Sequence, residues 1–299
     1  MKKNVLIVTF NTQKMTECCI KSINKTTPGC SIYVFDNGNV SPFINTFENV
    51  TIIDNTSGQI INFEEILNDN KDRLTTASKD NDYGSLKHCL SIDAAMDIIQ
   101  DGFILMDSDI LIKKDFTSLY DETKIYVGYI EKMPHFTPRV APFLCYINVR
   151  MCKENGIKYF NWEHMLGFRN EGDTKLYDTG CWFYEACKDL PKKEISINQY
   201  MVHFRAASWY KEAVEKQNYK KIQPEKWLER NRQYWYIPEE KPNNDNKVQP
   251  KEGTKSQKTT PEPPEEERKE PKTIVKRKGP VINLSDLKRY NKKIILRKI

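Results

Sequence analysis

The sequence predicts an α/β fold, a mainly parallel sheet flanked by helices. Three observations carry this. Short apolar runs of strand length alternate with longer segments of helical periodicity over the first half of the chain, as in successive strand–helix–strand units. The runs are nearly continuous in apolar residues, as expected of strands buried on both faces. Three of them end in polar clusters, and sheets of this kind bind ligands at the carboxyl ends of their strands.

Taken in order, Asn4–Phe10 reads as a buried strand, and residues 13–26 follow as a helix with Met15, Cys19, Ile20 and Ile23 on one face. Ser31–Phe35 and Val50–Ile53 read as further strands. Ser85–Ile99 reads as a helix whose apolar stripe is Leu86, Cys89, Leu90, Ala94 and Ile98. Gly102–Met106 is a strand that runs into Asp107-Ser108-Asp109.

Composition narrows the function classes. No apolar run approaches the roughly 18 residues of a membrane span. Met1-Lys2-Lys3 leads straight into the first strand, so no cleavable leader is expected. The eight cysteines include no Cys-x-x-Cys pair, and reduced thiols in a cytosolic core are the expectation. Residues 1–240 hold 30 Lys and Arg against 33 Asp and Glu, whereas residues 241–299 hold 17 against 8. A slightly acidic body with a basic end argues against a nucleic-acid-binding protein and marks an interaction tail. The expected location is cytoplasmic, peripheral at a membrane or a larger assembly.

The same composition divides the chain. The body spans 1–238. Residues 239–275 are rich in Pro, Glu and Lys, with almost nothing to bury, so a disordered, extended linker is expected. Residues 276–299 carry nine basic residues and one acid. Apolar residues recur among them, and Ser285 is a fitting N-cap for a helix over 286–299. This segment reads either as a docking element for an anionic membrane surface or an acidic protein partner, or as a flap that covers an edge of its own body.

The strand ends carry the candidate chemistry. Thr9-Phe10-Asn11, Asp36-Asn37-Gly38 and Asp107-Ser108-Asp109 converge on one rim if their strands are adjacent and parallel. Two acids one residue apart at such a rim suit a hard divalent cation that bridges to phosphates. The competing explanation is an ordinary turn, which is preferred for Asp80-Asn81-Asp82, where no strand precedes.

With these residues in view, the chain resembles the GT-A-fold glycosyltransferases of the family 2 type. The resemblance rests on Asn4–Asn11 with the helix containing Glu17–Ser22, on Ile32–Asn39, and on Leu105–Ile110, in that order. Looser likenesses follow in Ser85–Asp93, Pro142–Asn148, Asp178-Thr179-Gly180 and His203–Trp209. Residues 239–299 lie outside it. The resemblance implies transfer of a sugar, in all expectation a hexose, from a nucleotide-sugar donor to a glycan, lipid-linked or protein acceptor. It implies that Thr9, Phe10 and Asn11 contact base and ribose, that Asp36 accepts from the base with Asn37 beside it, and that Asp107 and Ser108 line the ribose. Asp107 and Asp109 would hold Mn²⁺ or Mg²⁺, and His203 would complete the shell, which favours Mn²⁺ because the ligand is an imidazole. The alternative for His203 is a histidine packed under Trp209. Lys87 is placed to meet a phosphate and His88 to buttress the nucleotide site, against a solvated lysine and a core histidine. Asp178 is the candidate base, ahead of Glu163 and Glu185, with a helix N-cap as its alternative. The acidic pair usual in family 2 near this point is absent.

A second reading keeps the GT-A body as a non-catalytic binding or assembly module and leaves the biological work to the tail. A nucleotidyltransferase is third, because Thr12-Gln13-Lys14-Met15 is no glycine-rich phosphate loop.

Overall fold

The computed structural model describes residues 2–71, 84–132, 136–162, 164, 177–204, 223–238 and 281–282. Within these, the strands are β1 (Asn4–Thr9), β2 (Ser31–Asp36), β3 (Val50–Asp54), β4 (Phe103–Asp107), β5 (Ile110–Ile112), β6 (Tyr126–Glu131), β7 (Arg139–Ile147), β8 (Lys192–Glu194), β9 (Met201–His203) and β10 (Val281–Ile282). The helices are α1 (Gln13–Thr26), α2 (Phe63–Asp69), α3 (Gly84–Ile98), α4 (Val149–Glu154), α5 (Cys181–Ala186), α6 (Pro224–Arg230) and α7 (Arg232–Trp235).

Eight strands form one sheet in the order β10-β3-β2-β1-β4-β7-β6-β8. β1 pairs in parallel with both β2 and β4, β3 with β2, and β10 with β3, whereas β7 is antiparallel to β4 and to β6. The mainly parallel α/β architecture read from the sequence is therefore the observed one. All six residues of β1 are buried, which explains its unbroken apolar run. Its side chains alternate in direction: Val5 and Ile7 enter a core with Cys19, Ile20 and Ile23 of α1, while Leu6 and Val8 enter a core with Leu86, Cys89 and Ile92 of α3. The sheet is thus the middle of three layers. Because β1 sits between β2 and β4, its carboxyl end is the topological switch point, where the chain leaves in opposite directions and opens a crevice.

The face of α3 differs from the expected stripe. Its buried residues are Leu86, Cys89, Ser91, Ile92, Ala95 and Met96, and Leu90, Ala94 and Ile98 lie at the margin, partly buried. The stripe is rotated because Ser91, polar by type, faces inward, where it donates to the Lys87 carbonyl and accepts from Asn37. The eight cysteines are all buried and unbonded.

A second, two-stranded sheet is formed by β5 and β9, with Ile110 opposite His203. Beyond it, α6 and α7 close over α1, where Lys25 reaches the carbonyls of Gln233 and Tyr236 and Lys14 and Lys21 lie over the Trp235 ring. The chain re-enters at β10, whose Val281 and Ile282 lie opposite Ile52 and Ile53. The linker over 239–275 and the helix expected over 286–299 lie outside the described residues, as does the Asp80–Asp82 turn. Among the described residues no helix is long and apolar enough to cross a membrane.

Candidate functional site

The site grows from the end of β4. Asp107 closes that strand, and Ser108 and Asp109 turn the chain into β5. The pairing of β5 with β9 then carries His203 back from almost a hundred residues away, and the Phe204 amide donates to the Asp109 carbonyl at 3.0 Å. As a result the His203 Nε2 lies 3.0 Å from Asp109 Oδ1 and 3.6 Å from Asp107 Oδ2. One ligand atom from each of Asp107, Asp109 and His203 falls within 4.8 Å of the others. The ring of His203 packs at 4.7 Å on Phe143, which fixes its orientation. Trp209, the packing partner in the alternative reading of His203, lies outside the described residues.

Two carboxylates and one imidazole form a donor set that could hold a divalent metal ion. A neutral imidazole with its proton on Nδ1 presents the Nε2 lone pair to the space between the two acids. Burial pushes the Asp107 carboxyl above its ordinary range, opposed by His88 and His203. A divalent cation there favours the ionised form of both acids. His88, on α3, lies 3.7 Å from Asp107, and burial holds it below its ordinary value despite that neighbour.

The other rim clusters are brought to the same edge, but most of their side chains are engaged by the protein. Thr9 is buried and shares a hydroxyl ladder with Thr12 and Thr16, and Thr12 also meets Ser108 at 3.0 Å. Asp36 is fully buried and accepts from the amides of Gly38 and Phe43 at 2.9 and 2.7 Å. Asn37 donates to Ser91 and accepts from Asn55. These residues shape the loop after β2 from within. Phe10 is partly buried against the core, and Asn11 is exposed. Asn11 has φ +54°, a left-handed conformation that asparagine tolerates better than most residues. That turn lets its side chain accept from the Val40 and Ser41 amides, which pins the loop over the rim. Lys87 sits on the first turns of α3, half-buried, one residue from His88.

Asp178 is not the N-cap of α5. That position belongs to Gly180, in a left-handed conformation with φ +85° and no side-chain capping bond. Asp178 Oδ2 instead meets Arg139 NH1 at 2.5 Å, and Oδ1 accepts from Ser85 Oγ at 2.6 Å and from the Thr179 amide at 2.7 Å. Sequence reasoning missed Arg139, Glu131 and Thr12. The available signal was a charged residue opening an otherwise apolar run at Arg139–Ile147, which demands a buried counter-charge. Glu185 lies on α5, half-buried, and Glu163 is outside the described residues.

No protein-family model matches the chain, and no curated protein does. Among solved structures it is similar to the glycosyltransferase GlyE of Streptococcus pneumoniae TIGR4, with a TM-score of 0.40 and 11% identity over 66% of this chain and 46% of that one. It is also similar to the galactosyltransferase LgtC in complex with donor and acceptor sugar analogues, at a TM-score of 0.33 and 13% identity over 51% of this chain and 60% of that one. A third is S. aureus TarS, at a TM-score of 0.36 and 13% identity over 75% of this chain and 41% of that one. The chain spans less than two thirds of the length of each.

Proposed function

We propose that this chain is a metal-dependent glycosyltransferase that moves a sugar from a nucleotide-diphosphate donor to an acceptor hydroxyl. The observation that carries this reading is the meeting of Asp107, Asp109 and His203 at the carboxyl edge of a parallel sheet, beside its switch point. Asp107, Asp109 and His203 would hold Mn²⁺ or Mg²⁺. When bound, the metal supplies Lewis-acid stabilisation of charge on the departing diphosphate. The chain's own residues do the rest. The loop pinned by Asn11 and Asp36 forms the base and ribose side, with Phe10 and Asn11 as the contacting residues and Thr9, Asn37 and Ser108 behind them. His88 holds Asp107 in place, and Lys87 is assigned to the phosphates. Asp178 is assigned to the acceptor side, as base or as a fixed acceptor of a hydroxyl's hydrogen bond. The donor is read as a hexose nucleotide, and the acceptor as a glycan, a lipid-linked sugar or a protein.

The test is titration calorimetry with UDP and GDP, with and without Mn²⁺. Asp109→Ala is expected to weaken the Mn²⁺-dependent component by about 100-fold or more, because losing even a group that only supports a metal ligand costs about 10- to 100-fold. Nucleotide binding that is equally strong in wild type and variant overturns the site.

The binding-module alternative predicts the same nucleotide binding without turnover. For the tail, the charge of 276–299 supports docking to an anionic membrane surface or an acidic partner. The pairing of Val281 and Ile282 with β3 favours an own-edge cover for those two residues. Because β10 runs parallel to β3, its own carboxyl end lies on the side of the rim.

A further inference from the structure

Arg139 opens β7 directly opposite Glu131, the last residue of β6. Its Nε and NH2 both bond Glu131 Oε2, at 2.8 and 2.7 Å, and its NH1 bonds Asp178 Oδ2 at 2.5 Å. The three side chains are only 15–20% exposed. A planar guanidinium serves two carboxylates at once in this way, and an ammonium does not. Asp178 is thereby tied to three separate pieces of structure: β7 through Arg139, the first turn of α3 through Ser85, and its own chain through the Thr179 amide. The first turn of α3 has a second task. Three residues after Ser85, His88 lies against Asp107. Ser85 and His88 share one face at this spacing, so α3 links the Asp178 cluster to the candidate metal ligands.

A carboxylate offers about four acceptor positions. Among the described residues, two on Oδ1 and one on Oδ2 are taken, which leaves one on Oδ2. We propose that Arg139 is a positioning residue, which through the Glu131–Arg139–Asp178 triad holds Asp178 so that its remaining acceptor position receives a sugar hydroxyl in the transfer. The inference rests on the transferase reading above. It adds that the acid of the acceptor side is immobilised by an arginine that itself touches neither metal nor nucleotide.

The experiment compares Arg139→Gln, Arg139→Lys, Asp178→Asn and the double variant Arg139→Gln/Asp178→Asn. Mn²⁺-dependent UDP and GDP binding is measured by calorimetry, and turnover by release of nucleotide from UDP- and GDP-hexoses. Arg139→Gln is expected to lower kcat by about 100-fold, the cost of a misplaced positioning contact. Donor KM and Mn²⁺-dependent nucleotide binding are expected to stay within about threefold of wild type, since Arg139 is not a metal or nucleotide contact. Arg139→Lys should recover part of kcat. The double variant should be no slower than Asp178→Asn alone, because one residue acts through the other. Losses that multiply, a kcat unchanged in folded Arg139→Gln, or an equal loss of nucleotide binding overturns the proposal. If Arg139→Gln does not fold, Arg139→Lys decides it, with a wild-type kcat as the refuting result. A wild type that shows no Mn²⁺-dependent nucleotide binding refutes the transferase reading, and this inference falls with it.

Discussion

Gly180 is where the backbone decides the position of Asp178. Its φ is +85°, and a Cβ built on it would stand 2.1 Å from the Val140 carbonyl oxygen, with the Tyr159 hydroxyl at 3.3 Å. The Gly180 carbonyl meanwhile accepts from the Val140 amide at 3.2 Å, so β7 and the start of α5 are in main-chain contact. Gly180→Ala therefore meets two costs. The left-handed conformation costs an L-residue about 1–2 kcal/mol. Relieving a contact with backbone, which cannot rotate away, costs about 1–3 kcal/mol more by analogy with overpacking. The sum is about 2–5 kcal/mol, or a fall in Tm of roughly 5–15 °C for a body of this size. Gly29→Ala is the control. It shares the conformation, with φ +82°, but nothing lies within 4 Å of its Cβ position. It should lose only the conformational part, about 3–6 °C. Thermal unfolding of the two variants side by side measures the close approach as their difference. Because any relief at Gly180 shifts Asp178 away from Ser85 and Arg139, turnover should fall in Gly180→Ala and not in Gly29→Ala. Equal shifts in Tm would show that β7 and α5 are not in the contact described.

Three further outcomes are expected. His203→Ala should weaken Mn²⁺-dependent nucleotide binding by about 10- to 100-fold while leaving metal-free binding unchanged; equal weakening of both, with a lower Tm, would mark His203 as a packing residue on Phe143. Asp93 is half-buried and accepts from the Tyr159 amide at 3.0 Å, and the loss of solvent around it raises its carboxyl from an ordinary 3.8 to about 6. The folded state then binds the proton more tightly than the unfolded chain, so stability is fullest below the ordinary value and declines as pH rises through about 6, by at most about 3 kcal/mol. Asp93→Asn should remove this slope in denaturant titrations between about pH 4 and about pH 7, and a wild-type slope in the variant would refute the assignment. Truncation after Pro238 should leave nucleotide binding intact and abolish co-sedimentation with anionic vesicles or the acidic partner, whereas unfolding or loss of binding would show that the tail belongs to the body.

Local order was legible because it is written in local pattern. The apolar run of β1, the periodicity of α1 and the polar cluster after β4 follow from which faces must be buried, and they give the sheet, its direction and the rim that holds Asp107 and Asp109. The same reasoning gave α3 the wrong face by a fraction of a turn, since Ser91 turns inward for a partner, Asn37, that lies on another strand. Residues joined over long distances were not legible in local pattern, and His203 was named only through the family resemblance. The antiparallel pairing of β5 with β9 brings His203 to Asp109, and nothing in the spacing of ninety-odd residues specifies that register. From sequence Asp178 is a candidate base with a cap as its alternative, because its neighbours in the chain allow one. Its actual partners, Arg139 and Ser85, stand 39 and 93 residues away and are found only by packing β7 and α3 around it. The sequence by itself determined the alternation of strands and helices and the two acids at a strand end, because burial periodicity is a property of neighbouring residues. Only the tertiary structure decided how His203 reaches those acids and which arginine holds Asp178, because the burial of a charge must be matched by whatever counter-charge the fold brings to it.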